Sequence, residues 1–345
     1  MNLYLFPEAA ISSNGYGIAV TQDYHKLNIT KDDIVVWYTS EKQFDLLSDN
    51  HCIIKRPSKI CYKRVINTLQ RRPSSDFRVN DLLSLCIDLD RIENIFCGDV
   101  IFYIALREIF PEKKITVRFH NCFARIKDRA SLLGSRFSLK FEMILNNFYH
   151  LERKIFSDNN VDKIFICNED KDYYTSMMGV YEDVPVWGFS PNLSFVLDKR
   201  TNIDFSNKIV WFGGLDSHKK DSVDWFVNDV FPHIKSIIPS VELFLWGKGT
   251  EIYNNPDSSI YGHGFYNASD FPFRKEALYI NPDLIGGGVK IKLSSYFEEG
   301  VAFISTPYGF EGYEKELIDN RYCSVVHPSQ WGEYICDLLK NKTTL

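Results

Sequence analysis

The eight cysteines (52, 61, 86, 97, 122, 167, 323 and 336) include no C-x-x-C pair, which argues against a zinc knuckle and a dithiol redox centre. Most lie in apolar surroundings, Cys86 in LLSLCID and Cys167 in KIFICNED, so buried reduced thiols are expected. Long apolar runs are missing too. The longest, VIFYIAL at 100–106, is far below the ~20 residues a membrane-spanning helix needs. The opening MNLYLFPEAAISS has no basic leader followed by a long apolar segment, so the expectation is a cytosolic protein without a transmembrane helix. Repeats and low-complexity tracts are absent as well. No G-x-x-x-x-G-K-[ST] loop occurs, and after Gly15-Tyr16-Gly17 position 20 is Val, so G-x-G-x-x-G fails. Both the P-loop and the ordinary dinucleotide-binding readings lose support.

What is present fits a soluble globular protein: 45% hydrophobic and 25% charged residues. At 345 residues the chain is long enough for two cores, since single cores stop growing near ~250–300 residues. The net charge of -5 names no partner by itself, but the charge is uneven. Residues 51–80 carry Lys55, Arg56, Lys59, Lys63, Arg64, Arg71, Arg72 and Arg78 against Asp76 alone. Residues 113–140 carry eight Lys/Arg against Asp128. Either stretch alone reads as a solvated face; two in one half point to an anionic surface. Nucleic acid is the competing anion, but no binding motif accompanies the basic residues, so none is expected.

Short apolar runs alternate with amphipathic stretches throughout. Strands are predicted at 2–6, 33–38, 94–98, 114–120 and 163–168, with helical patterns between them in DLLSLCIDL and over 135–156. The rhythm restarts with KIVWFGG (208–214), DSVDWFVNDVFPHIKSI, VELFLWG (241–247), EALYINP (276–282) and AFIST (302–306). Such alternation predicts α/β architecture: two Rossmann-like, doubly wound domains, 1–190 and 191–345, facing a central cleft. Chemistry is then expected in the turns that follow the strands.

Four of those turns are rich in glycine: SSNGYGI (12–18), WFGGLDSHKK (211–220), WGKGTE (246–251) and IGGGVKIK (285–292). Tight turning explains any one of them. Together, ahead of helix starts and followed by lysines, they suit a phosphate met by backbone N–H groups and point charges. Three adjacent glycines also carry an entropic penalty of roughly 1 kcal/mol each against alanine, which suggests a close approach to the backbone.

Across 208–312 the run WFGGLDSHKK, GKG, GFYN, ALYINPDLIGGGVKIKL and EGVAFISTPYGFEG resembles the C-terminal domain of a GT-B glycosyltransferase. The group is the large GT4-type (group 1) family, in its branch that builds bacterial surface polysaccharides such as O-antigen or capsule. A weaker resemblance covers the first half through SSNGYG and RFHN. It implies an acceptor-binding first domain and a nucleotide-sugar-binding second domain, with the last helix able to pack back on the first.

For the donor diphosphate the resemblance points to Gly15, Gly17, Gly214, Lys220, Gly286, Gly287, Gly288, Lys290 and Lys292. Gly214 stands where relatives often have arginine. Gly247, Phe265 and Tyr266 are implied for the nucleoside, and His120 for a place near the transferred sugar. Two glutamates that many relatives carry fall here on Gly287 and Ser295, which leaves Ser295 and Glu311 for the ribose. Asp99 is the nearest candidate base, though a helix cap explains it equally well.

The implied reaction is metal-independent hexosyl transfer with retention of configuration, without a cofactor beyond the nucleotide-sugar co-substrate. The acceptor is a lipid-linked saccharide, and the partners include an anionic membrane surface and no nucleic acid. The expected location is cytoplasmic, peripheral on the inner face of the membrane. Two rivals stay open: a sugar-nucleotide epimerase of the same fold, and a non-catalytic partner subunit.

Overall fold

The structure is a computed structural model that describes all residues except 8–14, 40–48, 57–66, 68–70, 74–76, 133–138, 180–182, 190–204, 216, 267–273, 275, 319–322 and 341–345. It divides into two compact units, Met1–Phe189 and Ser190–Leu345. The first sheet contains β1 (Asn2–Phe6), β2 (Ile34–Thr39), β3 (His51–Lys55), β4 (Asn94–Cys97), β5 (Ile115–Phe119) and β6 (Val161–Phe165). Its order is β3-β2-β1-β4-β5-β6, with every pair parallel. Continuous apolar runs such as IVVWYT suit strands covered on both faces. One face carries Leu3, Leu5, Val36 and Val117; the other carries Phe6, Val35, Trp37 and Phe96.

The second sheet contains β7 (Lys208–Phe212), β8 (Glu242–Trp246), β9 (Ile260–Gly264), β10 (Leu278–Asn281), β11 (Phe303–Ser305) and β12 (Cys323–Val325). The order is β12-β11-β10-β7-β8-β9, again all parallel. Counted from its own first strand, each sheet reads 3-2-1-4-5-6, so each unit has its topological switch point between its first and fourth strands.

Several expectations shift. Three strands lacked a clear signal: β3 sits inside the basic stretch, β9 (IYGHG) holds two glycines, and β12 is three residues long. DLLSLCIDL is not one helix. The helix Val79–Leu83 ends where the Ser84 hydroxyl donates to the Asp81 carbonyl at 2.7 Å and Cys86 turns left-handed with φ 53. Cys86 is therefore exposed, while Cys97, Cys122, Cys167, Cys323 and Cys336 are buried as expected. The last described helix, Trp331–Lys340, packs into the second unit itself. Trp331 is fully buried beside Trp225 and Phe226 and donates from Nε1 to Val326 O at 2.9 Å. Among the described residues, no helix is long and apolar enough to cross a membrane.

One buried acid fixes the turn after β5. Glu152, on the helix Leu139–Phe156, accepts from Phe123 N and Ala124 N, both at 3.1 Å, at the start of the helix Phe123–Leu132. Tyr174 donates its hydroxyl to the same carboxyl. Burial pushes the Glu152 carboxyl from 4.5 to about 8, against those three donors. A folded value above the unfolded one means the native state holds the extra proton. Its stability contribution is then full at low pH and is lost as pH rises from about 4.5 to about 8. Glu152→Gln carries no titrating proton. The advantage of the natural chain over this variant, followed by denaturant unfolding, should therefore shrink by ~2–4 kcal/mol between pH 5 and pH 8; a pH-independent difference would contradict the assignment.

Candidate functional site

At the switch point of the second unit, the chain leaving β10 forms the loop Pro282–Lys290 before the helix Lys292–Glu299. Side-chain hydroxyls hold this loop. Ser222, on the helix Ser217–Trp225, accepts from Leu284 N at 3.0 Å. Thr306, after β11, donates to Asp283 O, and Tyr313 donates to Lys290 O at 3.0 Å. The glycines Gly286, Gly287 and Gly288 are all buried, and Gly288 has φ 65, a left-handed value that favours glycine. At Gly286 the neighbour is the movable end of a side chain. A Cβ there would stand 2.6 Å from Lys290 Nζ, which donates to Gly287 O at 2.9 Å.

Lys292 begins the next helix beneath this loop. Its ammonium is largely buried, 5.3 Å from the centre of the Trp211 ring and 3.4 Å from Asp283 Oδ1. Burial pulls the Lys292 ammonium down to about 8, and the charges of Lys219 and Lys290 add to that, while Asp283 opposes it. The charges of Lys219 and Lys290 are thus felt at Lys292, with Asp283 as the opposing carboxylate. Lys220 is engaged elsewhere: its ammonium pairs with Asp224 one turn along its own helix. Lys219 lies one residue away, a rotation of about 100° on the helix, and its charge acts on Lys292.

The neighbouring turns are built on close backbone contacts. Gly213 N donates to Trp246 O at 2.9 Å and Gly247 N to Gly264 O at 2.7 Å, so the ends of β7, β8 and β9 lock together. Gly247 (φ 134) has no room for a side chain, since its Cβ would fall 2.0 Å from Gly213 O. Gly214 is exposed and a Cβ there meets nothing within 4 Å, so this position does not require glycine. Tyr266 stands edge-on to Phe212 (6.1 Å) and Trp246 (6.4 Å), with its hydroxyl pushed up to about 12 by burial. Phe265 is 75% exposed. Ser295 is half-buried on the helix Lys292–Glu299, and Glu311 is half-buried in the turn 307–312.

In the first unit, Gly15 and Gly17 open the helix Gly15–Lys26, and Gly17 O accepts from the Thr21 hydroxyl at 2.8 Å. Asp99 caps the single turn Val100–Phe102, accepting from Ile101 N at 3.0 Å. His120 follows β5 and is buried, with Nε2 2.8 Å from Asp23 Oδ2. Arg118 Nε donates to the same oxygen at 2.7 Å. Burial would raise the Asp23 carboxyl, yet His120 and Arg118 together hold it below the ordinary carboxylate range. Nothing in the sequence marked Asp23, which reaches His120 from 97 residues away.

The cationic stretches are partly consumed inside the fold. Arg118 is buried, and Lys113 donates to the carbonyls of Leu89 and Ile92. Lys114 pairs with Asp162, Arg125 with Asp170 and Arg72 with Glu108. Lys59, Lys63, Arg64 and Arg136 lie outside the described residues. Among the described residues no group of His, Cys, Asp and Glu is arranged to hold a metal ion.

No protein-family model matches the chain, and no curated protein matches its sequence. Solved structures do match. WaaG, a glycosyltransferase involved in lipopolysaccharide biosynthesis, has a TM-score of 0.60 at 12% identity, over 99% of this chain and 90% of that one. Sucrose-phosphate synthase from Thermosynechococcus elongatus has a TM-score of 0.65 at 13% identity, over 99% and 89%. Anabaena HepE, solved in complex with UDP, has a TM-score of 0.53 at 11% identity, over 99% and 89%. At such identities the likeness establishes the fold, the two-unit α/β architecture of GT-B proteins.

The lock between strand ends is testable by itself. Gly247→Ala places a methyl group against Gly213 O at a backbone angle alanine rarely adopts, and should destabilise the protein by about 2 kcal/mol or more in denaturant unfolding. Gly214→Ala, facing open space, should stay within about 0.5 kcal/mol.

Proposed function

We propose that the chain is a glycosyltransferase that takes a sugar from a nucleoside-diphosphate donor bound at the second unit. The observation that carries this reading is Lys292, with the charges of Lys219 and Lys290 felt at its ammonium, beside a hydroxyl-anchored glycine loop at a sheet switch point. Fixed cations and backbone amides near one point stabilise the charge that develops on a leaving diphosphate. GT-B neighbours, one of them solved with UDP, support the same assignment. In this reading His120 meets the transferred sugar. The acceptor is a lipid-linked saccharide and transfer proceeds with retention.

Calorimetry with UDP, GDP and ADP, followed by a transfer and hydrolysis assay on the matching nucleotide-sugars, tests the proposal. Lys292→Ala and Lys219→Ala should each weaken nucleoside-diphosphate binding by about tenfold or more, from loss of a charge-assisted contact. Lys220→Ala, whose ammonium is already paired, should change it by less than about threefold. Because Lys292 loses its proton near pH 8, affinity in the natural chain should fall as pH rises through that value. Lys292→Arg should flatten the fall. Affinity unchanged from the natural chain in both lysine-to-alanine variants would reject the site, and binding without any sugar release would leave a non-catalytic nucleotide-binding protein.

The finer reading, an acceptor presented at an anionic membrane, draws support from the two cationic stretches, reduced by the internal pairs described above. Vesicles containing phosphatidylglycerol should co-sediment the protein at low salt and release it at high salt. Binding indifferent to lipid charge, or no binding, would remove the membrane from the proposal.

A further inference from the structure

The turn after β5 carries His120, and two buried acids grip that turn from opposite sides. Glu152 holds its backbone through Phe123 N and Ala124 N. Asp23 holds the imidazole, with Oδ2 2.8 Å from Nε2. Asp23 and His120 are 1% and 5% exposed, so water does not compete for this bond. Arg118 is 2% exposed and reaches the same oxygen at 2.7 Å; its remaining nitrogens donate to the carbonyls of Phe165 and Trp187. Lys26, the other cation near this carboxylate, donates to Gly188 O at 2.9 Å.

We infer that Asp23 is the positioning residue of His120: it fixes the orientation of the ring and holds it in the tautomer protonated at Nε2. The chemistry follows from the donor count. A carboxylate flanked by a guanidinium is an acceptor only, so the 2.8 Å contact requires the proton on Nε2. In the neutral ring the lone pair then resides on Nδ1. Arg118 supplies the countercharge that lets Asp23 stay ionised in a dry interior. The same carboxylate therefore links the helix opened by Gly15 and Gly17 to the strand end carrying His120. A merely structural Asp23–Arg118 ion pair would be indifferent to which imidazole nitrogen carries the proton.

The role in sugar transfer rests on the proposed function; the tautomer does not. The test is therefore two-armed, on the full chain. Histidine-labelled nitrogen NMR, with His120→Asn to assign the signal, should find His120 protonated at Nε2 in the neutral ring. Asp23→Asn should mix or invert the tautomers and lower kcat by about a hundredfold, the scale of a misplaced reacting group, with nucleotide affinity nearly unchanged. Asp23→Glu should recover part of that loss. Should Asp23→Asn leave Arg118 unpaired and fail to fold, the spectrum of the natural chain decides. A ring protonated at Nδ1 in the natural chain, or an unchanged tautomer and kcat in a folded Asp23→Asn, overturns the inference. If no nucleotide-sugar is turned over at all, the function falls while the NMR arm still judges Asp23.

Discussion

A largely buried ammonium must be held by something, and Lys292 is held by Asp283 and the face of Trp211. That requirement organises the loop after β10 in the second unit. Asp283 stands where it does because Thr306 fastens its carbonyl, and Ser222 fastens the next residue. The glycines that follow are buried under Lys290, whose ammonium bonds their own carbonyls. The charges of Lys219 and Lys290 act on Lys292 against the opposing carboxylate of Asp283, in a place where burial weakens screening. An arriving diphosphate would complete the balance, which is the physical basis for assigning this site to an anion.

The first unit solves a related problem with acids. Asp23 and Glu152 are both buried, and they differ because their partners differ. Asp23 faces a guanidinium and an imidazole, and its carboxyl is held low. Glu152 faces only neutral donors, and burial lifts it to about 8. One carboxyl therefore remains an anion and the other is kept near neutrality, within a few residues of the same strand end. Such networks are useful only when every member is satisfied, since a half-satisfied one destabilises the core.

Both units share one strand order but not one chemistry. In the first, the helix after the first strand carries the buried carboxylate of Asp23. In the second, the helix after the first strand carries Lys219. The parallel sheet places each next to the strand ends; the side chains decide what is recognised there.

The apolar runs and their spacing determined the α/β class, most of the strands and the glycine turns after them, because period and turn chemistry are local properties. The glycine loop with Lys290 and Lys292 was legible for the same reason, as three glycines and two lysines fall within seven residues. Weak strands such as IYGHG and CSV escaped, since their pairing is conferred by neighbouring strands rather than by their own propensity. That Lys220 pairs with Asp224 while the Lys219 charge acts on Lys292 follows from helical phase, about 100° per residue. Asp23, Asp283 and Glu152 were decided by the tertiary structure alone. A carboxylate's partners lie across tens of residues of chain, and only folding brings His120 to Asp23 or the Phe123 amide to Glu152.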